Sequence, residues 1–434
     1  MEWSAGPTTG PPGVGQHGRM FEVERADRPC RLAAHPGRVP LLFLIADTGG
    51  GHRAAAAAVA GALERGYPGR YAPVLCDPLA GSAAPRLLRL ITRAYGPVVR
   101  LAPWLWGVIY HATDSSLGAW LLRRTLLAVA GRPLADALAA VQPAAVVSFH
   151  PLAGQMAARA WLDQTPAGRT AALVTVITDL GVPHATWRAD GADLVVTPAS
   201  GPAPARTARA GRRPGAAGTI VPAGLPVGHG FRPGPATRAE RAELRRSVGQ
   251  RESAFLVVLT GGGEGAGRLG RHAAAVLRGL PDVDLAVICG RNTRLHRRLA
   301  RLAARSDGRL TVHGFVAGMA AWLRCADLVV SKAGPGTIAE AACCGAPILL
   351  MSHLPGQERG GVQRVTRAGA GRYLPRTSQL VTAIGQLKEH PADLAAMRAA
   401  SARLGRPGAA DRLAAMLDGL VQARSAAVAG SSRG

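Results

Sequence analysis

The sequence Val39-Pro-Leu-Leu-Phe-Leu-Ile-Ala-Asp-Thr-Gly-Gly-Gly-His-Arg53 indicates the fold class of the first part of the chain. Its first eight residues are an apolar run typical of a buried parallel strand, and the alanine-rich residues 54–65 after it predict a helix. The glycines between them allow a tight turn and the close approach of a ligand, as in the first βα unit of a Rossmann-like domain.

His52 lies at the carboxyl end of this predicted strand, where ligands bind in open α/β sheets. A histidine in that position can act as a general base near neutral pH, and a helix cap is the alternative role. Gly50 and Gly51 beside it are candidate acceptor contacts. The motif lacks the Gly-Lys-Ser/Thr ending of a P-loop, which disfavours NTP hydrolysis.

The same pattern returns in the second half, where the apolar residues 254–260 run into Gly261-Gly-Gly-Glu-Gly-Ala-Gly267. This spacing differs from the dinucleotide-binding fingerprint, but its backbone can pass beside a nucleotide diphosphate. Other predicted strands alternate with helices, which indicates parallel sheets. They cover residues 71–76, 144–149, 173–178, 192–197, 285–289, 310–312, 328–331 and 347–351.

We therefore predict an α/β protein with two facing Rossmann-like domains and a cleft between them. The predicted segments are a flexible leader (1–38), an N-terminal acceptor domain (39–224), a linker (225–253), a C-terminal nucleotide-sugar domain (254–390) and a helical tail (391–434).

The composition restricts the classes of function. The chain has 434 residues, of which 48% are apolar, and this excludes a disordered protein. Its 52 Lys and Arg against 27 Asp and Glu give a net charge of +25, which favours an anionic partner, although a GC-rich genome also produces many arginines. The arginines are dispersed and no helix-turn-helix, zinc-finger or RNA-stacking motif is visible, so nucleic acid is disfavoured as the partner.

Metal, disulfide and membrane-spanning signals are lacking in the sequence. The six cysteines form no CxxC pair and no histidine cluster stands beside them, so we expect free thiols and no metal. No uncharged apolar stretch reaches the ~18 residues of a transmembrane helix, and no signal-peptide core is present. We expect a cytoplasmic protein attached peripherally to the inner face of the plasma membrane.

Lys332-Ala-Gly-Pro-Gly-Thr-Ile-Ala-Glu340 is a candidate diphosphate site. A strand is predicted to end at Ser331 and a helix to begin near Thr337, so Gly336 and Thr337 offer N–H and hydroxyl groups to phosphate oxygens. Glu340 suits ribose hydroxyls, but its spacing from Thr337 equally fits a capping box.

Two further motifs follow predicted strands. In Pro355-Gly-Gln-Glu358, the side chains of Gln357 and Glu358 can hold sugar hydroxyls, with a solvated loop as the alternative. In Thr178-Asp-Leu180, Asp179 can orient a catalytic group or a substrate hydroxyl, while His184 and Trp187 can line an acceptor pocket; core or turn roles fit these three equally well.

Residues 84–127 combine aromatic residues with interleaved arginines. The aromatic ones are Tyr95, Trp104, Trp106, Tyr110 and Trp120, and the arginines are Arg86, Arg89, Arg93, Arg100, Arg123 and Arg124. Such a segment suits the bilayer interface, where apolar groups enter the lipid and guanidinium groups meet phosphates. A helix packed on the sheet is the alternative.

Taken together, these motifs resemble the monogalactosyldiacylglycerol synthase and diacylglycerol glucosyltransferase family over roughly residues 40–373. The resemblance implies two Rossmann-like domains in the GT-B arrangement and metal-independent, inverting transfer of a hexose from a UDP-sugar to a membrane lipid hydroxyl. It also implies that His52 is the general base and that Glu340 binds the ribose. Phe315 and Val316 lie where the family backbone meets uracil, and the remaining implied donor ligands are Gly262, Gly263, Lys332, Gly336, Thr337, Gln357 and Glu358.

The sequence thus predicts a UDP-sugar-dependent transferase acting on diacylglycerol or a similar lipid. The alternatives are a transferase of the same fold with an undecaprenyl-linked acceptor, a UDP-sugar epimerase, and an Arg-rich nucleic-acid-binding protein.

Overall fold

Two parallel β-sheets organise the chain, one in each half. The computed structural model describes residues 37–46, 50–79, 90, 94, 96–99, 102–159, 171–187, 191–199, 218–234 and 237–431. Outside these ranges lie residues 1–36 of the predicted leader, residues 47–49 and 200–217, and Arg86, Arg89, Arg93, Tyr95 and Arg100.

The first sheet has the order β2-β1-β3-β4-β5-β6, and every pairing is parallel. Its strands are Val39–Leu44, Tyr71–Cys76, Ala145–Ser148, Ala172–Val176, Leu194–Val196 and Thr219–Val221, numbered β1 to β6. Strands β1, β3 and β4 are buried on both faces because hydrophobic clusters cover each side of the sheet, which explains their continuous apolar sequence.

The second sheet has the order β12-β11-β10-β7-β8-β9 and is also parallel throughout. Its strands are Phe255–Thr260, Val283–Ile288, Leu310–His313, Leu328–Lys332, Ile348–Ser352 and Gly371–Tyr373, numbered β7 to β12. The two sheets confirm the predicted fold class. The short strands β6 and β12 were not predicted from the sequence.

Helices connect the strands and cover both sheets. In the first half they are α1 (Gly51–Gly66), α2 (Pro103–Thr113), α3 (Ser116–Val141) and α4 (Ala153–Ala157). In the second half they are α5 (Arg238–Ser247), α6 (Leu269–Gly279), α7 (Thr293–Ala303), α8 (Met319–Cys325), α9 (Pro335–Cys343), α10 (Arg359–Arg367), α11 (Thr377–Glu389), α12 (Pro391–Leu404) and α13 (Ala409–Ser431). None of the helices in the described ranges is long and apolar enough to cross a membrane.

The segment predicted as a linker, residues 225–253, contains helix α5. Thr237 and Glu240 form a capping box at its start, and Arg245 donates to Asp327 at 2.5 Å. Because Asp327 also accepts from the backbone N–H of Leu256, this ion pair attaches α5 to the second sheet. The chain between the two halves is therefore partly ordered structure.

The predicted helical tail divides between the two halves. Helix α12 packs on α9 in the second half, whereas α13 returns to the first half and packs on α1. The Tyr71 hydroxyl donates to Asp418 of α13 at 2.6 Å, and Leu413 and Leu417 are fully buried there. The last helix therefore completes the core of the first half.

The strand orders determine where ligands can bind. In the first sheet, the connection from β1 leads to β2 on one side, and the chain then crosses to β3 on the other side of β1. In the second sheet, the same crossing places β10 beside β7. A crevice opens at the carboxyl ends of such strands, and this is the usual ligand site of open α/β sheets. The residues that follow β1, β3, β7 and β10 therefore form the candidate site.

Candidate active site

His52 lies at the carboxyl end of β1, in the first turn of α1. The helix begins at Gly51, and Gly50 before it has a φ of +83°, a left-handed conformation that glycine adopts without strain. The Oγ1 atom of Thr178 lies 3.3 Å from His52 Nδ1. Burial lowers the pKa of His52 to about 4, against the opposing effect of a hydrogen bond to the Phe149 backbone. The ring is therefore neutral at physiological pH, as a general base must be before it accepts a proton.

His150, which the sequence analysis did not single out, packs against His52. It follows β3, and the two ring centroids are 5.4 Å apart in an edge-to-face arrangement. Burial, and then the electrostatic interaction with the nearby His52, lower the pKa of His150 to about 3. The available signal was that His150 directly follows the predicted strand 144–149, but only the pairing of β3 with β1 shows that its ring meets His52.

Asp179 is held away from His52 by other partners. Its Oδ2 atom accepts from Trp187 Nε1 at 2.5 Å, and the carboxylate also bonds with Gln357 from the second half. Burial raises its pKa to about 6 despite these two hydrogen bonds. The side chain that contacts the histidine is that of the neighbouring Thr178, and the role of Asp179 in orienting a catalytic group or a substrate hydroxyl stays a prediction.

Trp187 and His184 occupy core positions. Trp187 is 1% exposed and belongs to a hydrophobic cluster of the first half. His184 is buried, with Nδ1 2.8 Å from Thr186 Oγ1 and Nε2 3.0 Å from the Tyr110 carbonyl oxygen. Their burial and their internal hydrogen bonds favour the core role that the sequence left open, and the acceptor-pocket role stays a prediction.

The opposite wall consists of the turns after β7 and β10. Gly262 has a φ of +69°, and a Cβ atom added to it would lie 3.6 Å from Lys332 Cε. A Cβ atom added to Gly334 would lie 3.5 Å from Lys332 Nζ. Lys332 thus lies between the two glycine turns. Added Cβ atoms at Gly336 would meet open space, so the first turn of α9 is accessible to a ligand. Backbone N–H groups and an ammonium group in this arrangement suit a diphosphate.

Glu358 is already bonded within the protein. It is 3% exposed, its Oε1 accepts from Lys332 Nζ at 2.6 Å, and its Oε2 accepts from the backbone N–H of Leu354 at 2.8 Å. Gln357 bonds with Asp179, and its Oε1 is buried without a partner. These contacts fix the loop that resembles the sugar-binding motif, and the sugar-ligand roles of Gln357 and Glu358 stay predictions.

Glu340 does not form the capping box that the sequence allowed. Helix α9 begins at Pro335, with Gly334 as N-cap and no side-chain capping bond, so Thr337 is already inside the first turn. Burial raises the pKa of Glu340 to about 7. Its carboxyl group has no hydrogen bond in the described part of the chain, which leaves it available for a ligand hydroxyl.

Phe315 and Val316 follow β9 at the margin of the second sheet. The Phe315 side chain is 64% exposed, and the guanidinium carbon of Arg291 lies 5.4 Å from its ring centroid. Gly263 accepts the backbone N–H of Arg291 at 2.8 Å, which joins this edge to the glycine turn. No group of three or more His, Cys, Asp or Glu side chains in the described ranges is placed to hold a metal ion.

The two halves meet at the loop 354–361. An added Cβ at Gly107 of α2 would stand 2.8 Å from Pro355 Cβ, and the Tyr110 ring lies directly against Gly356. An added Cβ at Gly181 would stand 2.7 Å from the Cα of Gly360. Helix α1, which carries His52, also contacts helix α9, which carries Glu340. The predicted base and the predicted ribose ligand therefore border one cleft.

Helices α2 and α3 expose an apolar surface. Trp104 is 67% exposed and Trp120 is 45% exposed, whereas Trp106 is half-buried. The other exposed large apolar residues of these helices are Leu105, Val108, Ile109, Leu117, Leu121 and Val129. The guanidinium carbon of Arg124 lies 5.6 Å from the Trp120 ring centroid. The segment is thus packed on the protein along one side only.

Comparison with known proteins identifies the family. The model of a family described as monogalactosyldiacylglycerol synthase matches residues 52–227, and the glycosyltransferase family 28 C-terminal domain matches residues 256–413. A chloroplastic monogalactosyldiacylglycerol synthase from Spinacia oleracea is 32% identical over 397 residues, which are 89% of this chain and 73% of the spinach protein. The chain belongs to the monogalactosyldiacylglycerol synthase family. It is accordingly a glycosyltransferase, and the predicted resemblance is confirmed.

Solved structures support the fold of this family member. A UDP-glucosyltransferase from Polygonum tinctorium matches with a TM-score of 0.54 and 14% identity, covering 88% of this chain and 99% of that protein. MurG from Acinetobacter baumannii matches with a TM-score of 0.52 and 16% identity, covering 88% of this chain and 99% of that protein. These likenesses concern the fold alone and confirm the GT-B arrangement of two Rossmann-like halves.

Proposed function

We propose that this protein transfers a hexose from a UDP-sugar to the free hydroxyl of diacylglycerol or a similar membrane lipid. The observation that carries the proposal is the contact between α1 and α9, because it brings the neutral His52 of one half to the same cleft as the glycine turns and Lys332 of the other. Family membership supports the substrates, since relatives such as the spinach protein are named for this reaction product.

The reaction needs one proton transfer and one displacement. His52 takes the proton from the lipid hydroxyl while that oxygen forms a bond to the anomeric carbon of the sugar. The bond between the anomeric carbon and the diphosphate oxygen breaks, and UDP leaves with the electron pair. Attack from the side opposite the leaving group inverts the anomeric configuration.

Positive charge for the departing diphosphate comes from the second half. Lys332 Nζ lies between the glycine turns, and the N-terminus of α9 presents free N–H groups and the positive end of the helix dipole. Since these groups can neutralise the leaving group, we expect turnover without a divalent metal. Full activity in excess EDTA would agree with this, and an absolute requirement for Mg²⁺ or Mn²⁺ would contradict it.

The exposed surface of α2 and α3 suits peripheral attachment to a bilayer. Tryptophan and leucine side chains can enter the headgroup region, and Arg124 and other arginines of a chain with a net charge of +25 can meet lipid phosphates. This surface lies next to loop 354–361, so a lipid hydroxyl would reach the cleft from the membrane side. The inner face of the plasma membrane stays a prediction for the compartment.

The decisive experiment is UDP release from a panel of UDP-sugars, with and without diacylglycerol in vesicles that contain anionic lipid. Lipid-dependent release with a glycolipid product, abolished in His52→Gln, is the expected result, and NMR of the product reports the anomeric configuration. Sugar isomerisation without lipid would favour the epimerase. Transfer only to a prenyl-linked acceptor would favour the alternative acceptor, and strong preference for duplex DNA over anionic vesicles at matched salt would favour nucleic-acid binding.

A further inference from the structure

His150 is half-buried, and its ring has no hydrogen-bond partner in the described part of the chain. Its Nδ1 atom is nevertheless buried. Most buried polar atoms in native folds have a hydrogen-bond partner, so an unpaired one calls for an explanation. Within the described ranges, His272, His313 and His353 also carry a buried ring nitrogen without a partner, so the feature that distinguishes His150 is its position at the ligand crevice after β3.

The place of His150 indicates that purpose. It follows β3 at the crevice between β1 and β3, its ring lies against the ring of His52, and its side chain is only half-buried. Burial and the neighbouring His52 both oppose a positive charge on this ring. A neutral imidazole offers one N–H donor without a charge, and such a donor suits an uncharged oxygen such as an ester carbonyl.

We infer that His150 is an acceptor-binding residue whose Nε2–H donates to an ester carbonyl oxygen of the lipid, beside the hydroxyl that His52 deprotonates. The inference rests on the proposed function, because it takes diacylglycerol as the acceptor. In diacylglycerol the carbonyl next to the free hydroxyl lies within a few bonds of it, so two adjacent histidines can bind the two oxygens. The hydrogen bond orients the hydroxyl toward the anomeric carbon.

A pair of lipids tests this directly. One is diacylglycerol, and the other is its analogue with ether-linked chains of the same length, which has the hydroxyl but no carbonyl oxygens. We expect the wild type to show kcat/KM about 3–10-fold higher for the ester lipid, as one neutral hydrogen bond would produce. In His150→Phe, which keeps an aromatic ring against His52 but has no N–H, the ratio should fall to about 1.

Two further variants separate binding from structure. His150→Gln places an amide N–H near the position of Nε2 and should restore part of the ester preference, while the KM for the UDP-sugar stays unchanged in both variants. His272→Phe is the matched control, since His272 also has a buried, unpartnered Nδ1 but lies on α6 of the second half. It should keep the wild-type ester-to-ether ratio.

The outcomes distinguish this inference from the proposed function. A wild type that uses ester and ether lipids equally, or a His150→Phe variant that is slower but keeps the wild-type ratio, overturns the role of His150 alone. A folded wild type that transfers sugar to neither lipid overturns the proposed function and this inference with it.

Discussion

The backbones of Gly181 and Gly360 lie directly against each other where the two halves of the protein meet. Gly181 follows the Thr178-Asp-Leu180 motif of the first half, and Gly360 is in the first turn of α10 in the second half. An added Cβ at Gly181 would stand 2.7 Å from the Cα of Gly360, which is closer than real side chains approach. Only two glycines permit this approach, and it brings loop 354–361 against the first half.

Gly181→Ala should therefore separate the halves without unfolding either one. We expect kcat/KM to fall about 10- to 100-fold, because a displacement of about 1 Å at the reacting groups has such an effect. The melting temperature should change little, since the core of each half is unaltered. Gly419→Ala is the matched control, because an added Cβ there meets nothing within 4 Å. Equal kinetics for Gly181→Ala and the wild type would show that this contact does not position the site.

The pH dependence of turnover should report the buried state of His52. Its pKa is lowered to about 4, so the ring stays unprotonated, and able to act as a base, until the pH falls close to that value. The acid limb of kcat/KM should accordingly lie near pH 4–5 and not near the ordinary pKa of about 6.5. His52→Ala should lose about 10²–10⁴-fold in turnover and keep its affinity for UDP. An unchanged turnover would remove His52 from the role of base.

Glu340 should make the affinity for UDP depend on pH. Its pKa is raised to about 7, so the carboxyl group is largely protonated at pH 6 and ionised at pH 8. Because the carboxylate is the better acceptor for ribose hydroxyls, UDP should bind more tightly as the pH rises through 7. Titration calorimetry of wild type and Glu340→Gln would separate this effect from the titration of the UDP phosphate, which both proteins share. An identical pH slope in the two proteins would contradict a ribose contact.

The exposed tryptophans of α2 and α3 should control binding to membranes. Trp104→Ala combined with Trp120→Ala should weaken partitioning into anionic vesicles by about tenfold or more, because each change removes a large apolar group from the lipid interface. Val428→Ala removes exposed apolar surface from α13, at a distance from these helices along the chain, and should have little effect. Vesicle co-sedimentation measures both. If the double variant binds as the wild type does, another surface contacts the lipid.

Much of the fold follows from local sequence. The continuous apolar runs at Val39–Leu44 and Phe255–Thr260, each ending in glycines, predict buried parallel strands because such strands are covered on both faces and need no polar residues. The short edge strands Thr219–Val221 and Gly371–Tyr373 were not predicted, because three residues are too few to show a hydrophobic periodicity. Helix α5 was not predicted because its polar sequence resembles that of a linker. The ion pair between Arg245 and Asp327, which attaches it to the second sheet, is visible only in the structure.

The sequence alone determined the candidate residues of the site, because glycine turns, His52, Lys332 and Glu340 carry their chemistry in their type and their place after a strand. Only the tertiary structure decided how they are used. Strand pairing brought His150 against His52 and gave Thr178, instead of Asp179, the contact with His52 Nδ1. Packing placed Trp187 in the core and bonded Glu358 to Lys332. These contacts depend on which strands become neighbours in the sheets. The local sequence around residues that are far apart in the chain does not show which strands will pair.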